Sequence, residues 1–149
     1  MAKQKVLAQT LMDNLEKPSI VTDTYWIFAS RQKGKYPEPT DNRGKWLVFT
    51  SVAEVDAVWS KIRTATREGK LGNDSKVATA KDSPYGNNQT GRVICIYTYD
   101  WTDEKDVMKI RDVLRKLGIT GKIPYKANES TFNREYSIFG HKKISKYYC

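Results

Sequence analysis

Seven aromatic residues are placed where they could stack on a planar ligand: Trp26, Trp46, Trp59 and Trp101, with Tyr25, Tyr97 and Tyr99. A base lying on an exposed aromatic ring gains about 1–3 kcal/mol, and nearby cations would hold its phosphates. Lys76, Lys81 and Arg92 bracket a turn-rich segment, Asp82–Gly91, and are candidates to converge on a phosphate. That segment contains Gly86 and Gly91 but lacks phosphate-loop spacing, so a solvated loop competes with an anion site. The competing reading of the aromatics is that they build the core. Trp59, at helical spacing with Val55 and Ile62, is assigned there, and so is Trp26. Trp46 and Trp101 flank basic or turn residues and fit either role.

The remaining chemistry is sparse. His141 is the single histidine and sits in Gly140-His141-Lys142-Lys143, a pattern that also reads as a basic surface turn. No paired carboxylates, nucleophile motif or metal-ligand spacing points to an enzyme class. Cys95 lies inside an apolar run and Cys149 is the last residue given, so neither a disulfide framework nor a metal site follows from them. No metal and no cofactor is expected.

The elements that must position these side chains come in a repeated pattern. Lys45 to Ser51 reads as a strand running into an amphipathic helix with Val55, Val58, Trp59 and Ile62. Arg92 to Tyr99 reads as a second strand, followed by a helix with Val107, Ile110, Leu114 and Leu117. Ser51-Val52-Ala53-Glu54 is a capping-box pattern, and Gly69 supplies an exit from the first helix. Thr102 is the expected N-cap of the second helix and Gly118 its stop. Further strands are expected at Thr22–Ser30, Ser75–Lys81 and Lys122–Lys126, the last at an edge or a bulge because of Pro124. A helix is expected over Lys3–Glu16, and the tail from Tyr136 to Tyr148 could add a strand. Arg31–Gly44 is polar, basic and long for a connection, so a mobile, functional loop is expected.

At 149 residues the chain is sized for one domain. Its expected parts are an N-terminal helical segment (1–20), a core (21–126) and a tail (127–149). A 39% hydrophobic content in short runs is that of a globular protein, with no run of membrane-spanning length. No signal peptide is apparent, so a cytoplasmic or nuclear address is expected. The formal net charge of +9 suits polyanionic ligands, although it equally describes a lysine-rich solvated surface.

Thr24-Tyr25-Trp26-Ile27-Phe28, Gly44-Lys45-Trp46-Leu47-Val48-Phe49 and Val52 to Trp59 resemble the opening of the messenger-RNA cap-binding initiation factors. Ile94 to Thr98 and the helix ending Leu114 to Gly118 resemble their second half. Gly44 to Phe49, with Gly69-Lys70-Leu71 and Ser75 to Ala80, also resembles the Bles-type family, named for a basophilic-leukaemia-expressed protein. That family shares the cap-binder-like fold and has been described as a phosphothreonine-lyase-type domain. The resemblance covers roughly residues 25 to 125. It implies that Trp46 lies near a base-stacking position, Tyr97 beside the methyl group of the base, and Lys81 near a phosphate-binding arginine. It puts Trp59 on the opposite, partner-binding surface. The segment bearing the second stacking tryptophan and the guanine-reading glutamate has no counterpart between Gly72 and Ser75. Methylguanosine specificity is therefore not implied.

The expected fold is α+β: a curved, mainly antiparallel sheet with helices on one face and a basic, aromatic-lined opposite face. The expected function is binding of a phosphorylated ligand, RNA or a nucleotide before a phosphopeptide, through Trp46, Lys81, Arg92, Tyr97 and Trp101. One alternative is a phosphothreonine lyase, which needs a base for the α-proton, an acid for the leaving group and cations for the phosphate. His141 and Lys76 are its candidate catalytic groups. The other alternative is a protein-interaction domain using the helical face near Trp59.

Overall fold

Strand side chains alternate between faces, so the pairing register decides which residues meet the helices and which are left for other partners. A computed structural model describes residues 16–82, 91–128 and 145–149. Its elements are β1 (Trp26–Ser30), β2 (Gly44–Ser51), α1 (Val52–Arg67), β3 (Asp74–Ala78), β4 (Gly91–Thr98), α2 (Glu104–Lys116), β5 (Pro124–Ala127) and β6 (Tyr147–Tyr148). The strands form one curved six-stranded sheet in the order β1-β3-β4-β2-β5-β6. Every pairing in it is antiparallel. The fold is α+β, as the sequence suggests. None of the described helices is long and apolar enough to cross a membrane.

The two strand–helix modules form as their patterns require. Ser51 caps α1, its Oγ accepting from the Glu54 N–H at 3.3 Å, and Gly69 takes the positive φ of 77° just past the helix end. In α2 the cap is Asp103 rather than Thr102. The Asp103 carboxylate accepts from the Asp106 N–H at 3.2 Å, while the Thr102 hydroxyl donates to Asp100 at 2.6 Å.

Three expectations about the strands and loops are corrected. β1 begins at Trp26 and β3 ends at Ala78, because the segments outside them pair irregularly: the Thr79 N–H donates to Tyr25 and the Ala80 N–H to Val21. β5 is not an edge strand, since it lies between β2 and β6; Pro124 is its first residue, where a missing N–H is tolerated. The loop from Arg31 to Arg43 is tied down rather than loose. The Tyr36 hydroxyl donates to Asp106 at 2.5 Å and accepts from the Tyr99 N–H at 3.1 Å, and the Thr40 N–H donates to the Tyr99 carbonyl. All but the last residue of the helix expected over Lys3–Glu16, the turn-rich segment over residues 83–90 and most of the tail lie outside the described residues.

Both described helices pack on the same side of the sheet. Trp46, Val48, Ile94, Ile96, Val77, Ile27 and Tyr125 meet Val55, Trp59 and Ile62 of α1 and Val107, Ile110 and Leu114 of α2 in one core. Trp46 is fully buried; its indole N–H donates to the Val107 carbonyl at 3.1 Å, and its ring lies edge-on to Tyr125 at 5.2 Å. Arg111, also fully buried, donates to the carbonyls of Ile119, Gly121 and Cys149, which fastens the chain after α2 to the last strand.

Candidate ligand-binding face

The register leaves a second set of side chains on the side away from the helices. On β2 these are Lys45, Leu47 and Phe49; opposite them on β4 stand Tyr97, Cys95 and Val93. Lys76 of β3 faces Cys95, and Phe28 of β1 faces Lys76. Leu47, Cys95 and Tyr97 form a small apolar cluster of their own, with Trp26 and Val93 packed against it. This is the floor of the open face. Phe28 and Phe49 rise from it with about three-fifths of their surface exposed, 62% and 60%. An exposed phenylalanine on a sheet face, as Phe28 is, offers a surface on which a planar group can stack.

Cations lie over the aromatic rings of this face. The Lys76 ammonium is 3.9 Å from the Trp26 ring centroid, and the Arg43 guanidinium is 4.1 Å from that of Tyr97. Lys45 and Lys76 each place Nζ 5.8 Å from the Tyr97 centroid. Such contacts hold the side chains in place at modest energy. Arg43 also pairs with Asp74 at 2.5 Å, and both line a small cleft of about 20 Å³ with Tyr36, Pro39, Tyr97 and Tyr99. Lys45 donates to the Asn128 side-chain oxygen at 3.3 Å.

The electrostatics follow from this crowding. Burial holds the Lys45 ammonium below its ordinary value; Cys95 is the next largest influence and opposes it, and the cations of Lys76, Lys126 and Arg43 each add a smaller push down. Burial raises the Cys95 thiol, with Lys45 and Lys76 opposing, so the thiol is neutral near pH 7. Burial also pushes the Tyr97 phenol up to about 12.

The residues expected at the site are distributed unevenly. Tyr97 and Lys76 lie at the centre of the open face. Lys81 lies beyond the end of β3, its ammonium 4.4 Å from the Tyr25 ring centroid. Trp46 is a correction: strand parity turns it into the helix-side core, so it offers no stacking surface and does not share a site with Lys81. Arg92 is another. It alternates with Val93 onto the helix side, is almost wholly buried, and donates to the Gly91 carbonyl at 2.8 Å, so it does not converge with Lys76. Trp101, in the turn before α2, packs partly against the main core with the Lys146 ammonium 4.1 Å over its ring, and no contact among the described residues ties it to the Tyr97 cluster. Trp59 is fully buried, which removes it as a direct partner contact. His141 lies outside the described residues.

Sequence reasoning missed Arg43, Lys45, Asp74 and Phe28, and it assigned Trp26 to the core. The period-two alternation of Trp26 and Phe28 against Ile27 and Ala29 was the available signal, since it puts both large rings on one face. The Arg43–Asp74 pair joins residues far apart in the chain and has no local signature.

Residues 40–132, which carry β2 to β5 and the part of this face outside β1, match the family of basophilic leukemia-expressed protein Bles03. The chain belongs to that family. Solved structures share the fold of this Bles03-family chain. Caenorhabditis elegans eIF4E-3, in complex with the 4E-binding protein Mextli and a cap analog, is 17% identical with a TM-score of 0.63, covering 94% of this chain and 78% of that one. A Schistosome eIF4E complexed with m7GpppG and 4E-BP is 11% identical with a TM-score of 0.66, covering 95% and 79%. Ascaris suum eIF4E-3 with m7G cap is 16% identical with a TM-score of 0.62, covering 94% and 77%. At these identities the likeness establishes the shared architecture. Among the described residues of the Bles03-family chain, no group of three or more His, Cys, Asp or Glu could hold a metal ion.

Proposed function

We propose that this protein binds a phosphorylated nucleic-acid ligand, single-stranded RNA or a nucleotide, on the open face of its sheet. One observation carries the reading: aromatics and cations are interleaved on a single face, with Lys76 over the half-buried Trp26 at 3.9 Å, Arg43 over the largely buried Tyr97 at 4.1 Å, and the exposed Phe28 projecting beside Lys76. An antiparallel sheet with aromatics to stack bases and cations to meet phosphates is a recurrent solution for single-stranded RNA. The cap nucleotides bound by the eIF4E structures of the same architecture support the same class of ligand. The +9 charge adds long-range attraction. A second macromolecular partner would dock on the exposed side of the helices, without Trp59.

The test is filter binding of a single-stranded RNA and of a capped nucleotide at two salt concentrations. Phe28→Ala should cost about 1–3 kcal/mol of affinity at either salt, as expected for a lost stacking platform. Lys76→Gln should weaken binding mainly at low salt and flatten the salt slope by about 0.7, the value for one phosphate contact to a single strand. Absence of RNA and nucleotide binding by the parent protein, or unchanged affinity in both well-folded variants, would overturn the assignment.

A further inference from the structure

The cations around Tyr97 have a charge that can be compared with that of a phosphate. Arg43 is matched by Asp74 in a 2.5 Å pair, which leaves the ammonium groups of Lys45 and Lys76, each 5.8 Å from the Tyr97 ring centroid. Lys45 stands directly opposite Tyr97, and Lys76 opposite Cys95, one step along the same strand. The two lysines therefore flank a floor made of Leu47, Cys95 and Tyr97. Cys95 brings no compensating anion, because its thiol is neutral near pH 7. The apolar floor strengthens any charge interaction made above it.

An internal phosphodiester carries one negative charge. A phosphate monoester carries about −1.5 to −2 at neutral pH and offers three acceptor oxygens. We propose that the subsite between Lys45 and Lys76 takes a phosphate monoester: the terminal phosphate of an RNA or of a free nucleotide, in preference to an internal backbone phosphate. The monoester neutralises both ammonium groups and relieves their mutual repulsion, which a diester does only by half. Arg43 supplies a planar donor at the cleft side, and the Asn128 side chain steers Lys45 by the 3.3 Å hydrogen bond it accepts. Bases then extend toward Trp26 and Phe28, where stacking surface is found. This inference rests on the nucleic-acid reading above and adds to it the end of the ligand that is recognised.

The experiment compares one short single-stranded RNA bearing a 5′-hydroxyl, a 5′-phosphate or a 3′-phosphate, by fluorescence anisotropy in low salt. Folding of each variant is checked by circular dichroism. A terminal phosphate should improve affinity about tenfold over the 5′-hydroxyl form, the size of one added charge-assisted contact. Lys45→Gln and Lys76→Gln should each bring the forms toward equal affinity, while Lys81→Gln, over Tyr25 at the other end of the sheet, should weaken all forms alike. A nucleoside 5′-monophosphate competing as well as the phosphorylated RNA would support the subsite with a free nucleotide as its source; poor competition would support it with an RNA end. Equal affinity for the hydroxyl and phosphate forms would overturn the inference and leave the RNA reading standing. Failure to bind any form would overturn both. A preference that survives both glutamine variants, or a phosphothreonine peptide that displaces the RNA more strongly than the monophosphate does, would also overturn it.

Discussion

Lys45 and Trp46 are adjacent in β2, yet they belong to different materials. Trp46 is enclosed by two helices, with its one polar atom bonded to the Val107 carbonyl at 3.1 Å. Lys45 stands on a thin apolar floor with its charge among other charges. The helix side of the sheet is ordered by close packing, where dispersion and hydrophobic burial leave little slack. The open side is ordered by cation–ring contacts, the lysine–asparagine hydrogen bond and the Arg43–Asp74 ion pair, which are individually weak and can be exchanged for a ligand. On the proposed function, stability belongs to the first face and recognition to the second. Substitutions on the two faces should therefore separate into two kinds of effect.

The largest separation is expected at Trp46. Trp46→Ala removes a fully buried indole and should cost about 3–5 kcal/mol of folding stability, read as a lower midpoint in urea unfolding. Ligand affinity of the fraction that remains folded should stay near that of the parent. A stable Trp46→Ala protein that has lost RNA binding would break the comparison, and would return Trp46 to the stacking role its sequence neighbours suggest.

Why that role looked plausible is a matter of strand parity. The run Lys45 to Ser51 is apolar at Trp46, Leu47, Val48 and Phe49, so alternation alone does not say which face a given residue takes. Only pairing with β4 and the placement of both helices settle it. The same gap misplaced Arg92, one residue from Val93 and on the other side of the sheet. Helices were far more legible: a 3.6-residue period with Ser51 ahead and Gly69 behind fixes α1, and the period alone puts Trp59 inside. The capping of α2 was read one residue early, because Thr102 and Asp103 are both good caps and only the geometry of the carboxylate decides. Tyr97 was named through the aromatic set and the family resemblance, and Lys76 as a cation beside the turn-rich segment and a candidate base. Arg43, Lys45 and Asp74 were not, since their meaning arises from register between strands distant in sequence.

A smaller effect tests how little slack the helix side has. Gly44 lies on that side of β2, and a Cβ there would meet the hydroxyl and ring of Tyr125 at less than contact distance. Tyr125 cannot retreat easily. It is fully buried, and its hydroxyl shares a 2.5 Å hydrogen bond with Thr98. Gly44→Ala should therefore destabilise by about 1–3 kcal/mol through overpacking, measured again by urea unfolding. Thermal and chemical stability equal to the parent would show that the β2–β5 contact yields, and that the helix side is less rigid than its close packing suggests.

The smallest effect at neutral pH, and the sharpest in its dependence on pH, is expected from Tyr97 on the open face, in contrast to Tyr125 on the helix side. Tyr97 on the open face is raised from the ordinary 10.0 to about 12, chiefly by burial, with the Arg43 cation opposing. Above pH 10 the unfolded chain releases this phenolic proton while the folded protein keeps it. The stability associated with Tyr97 is thus fully present below pH 10 and is lost as pH rises through about 12. Tyr97→Phe removes the titrating group, so it should change stability by about 1 kcal/mol or less at pH 7 and make the alkaline decline shallower. Tyr125 on the helix side is also raised by burial, but its hydroxyl is the partner of a buried Thr98. Tyr125→Phe leaves that hydroxyl without its partner and should cost about 1–3 kcal/mol already at neutral pH. Urea midpoints measured from pH 7 to pH 12 for both variants and the parent decide the matter. Parallel curves for Tyr97→Phe and the parent would mean that Tyr97 titrates alike in the folded and unfolded chains, and that its ring is open to water rather than set into the floor of the face.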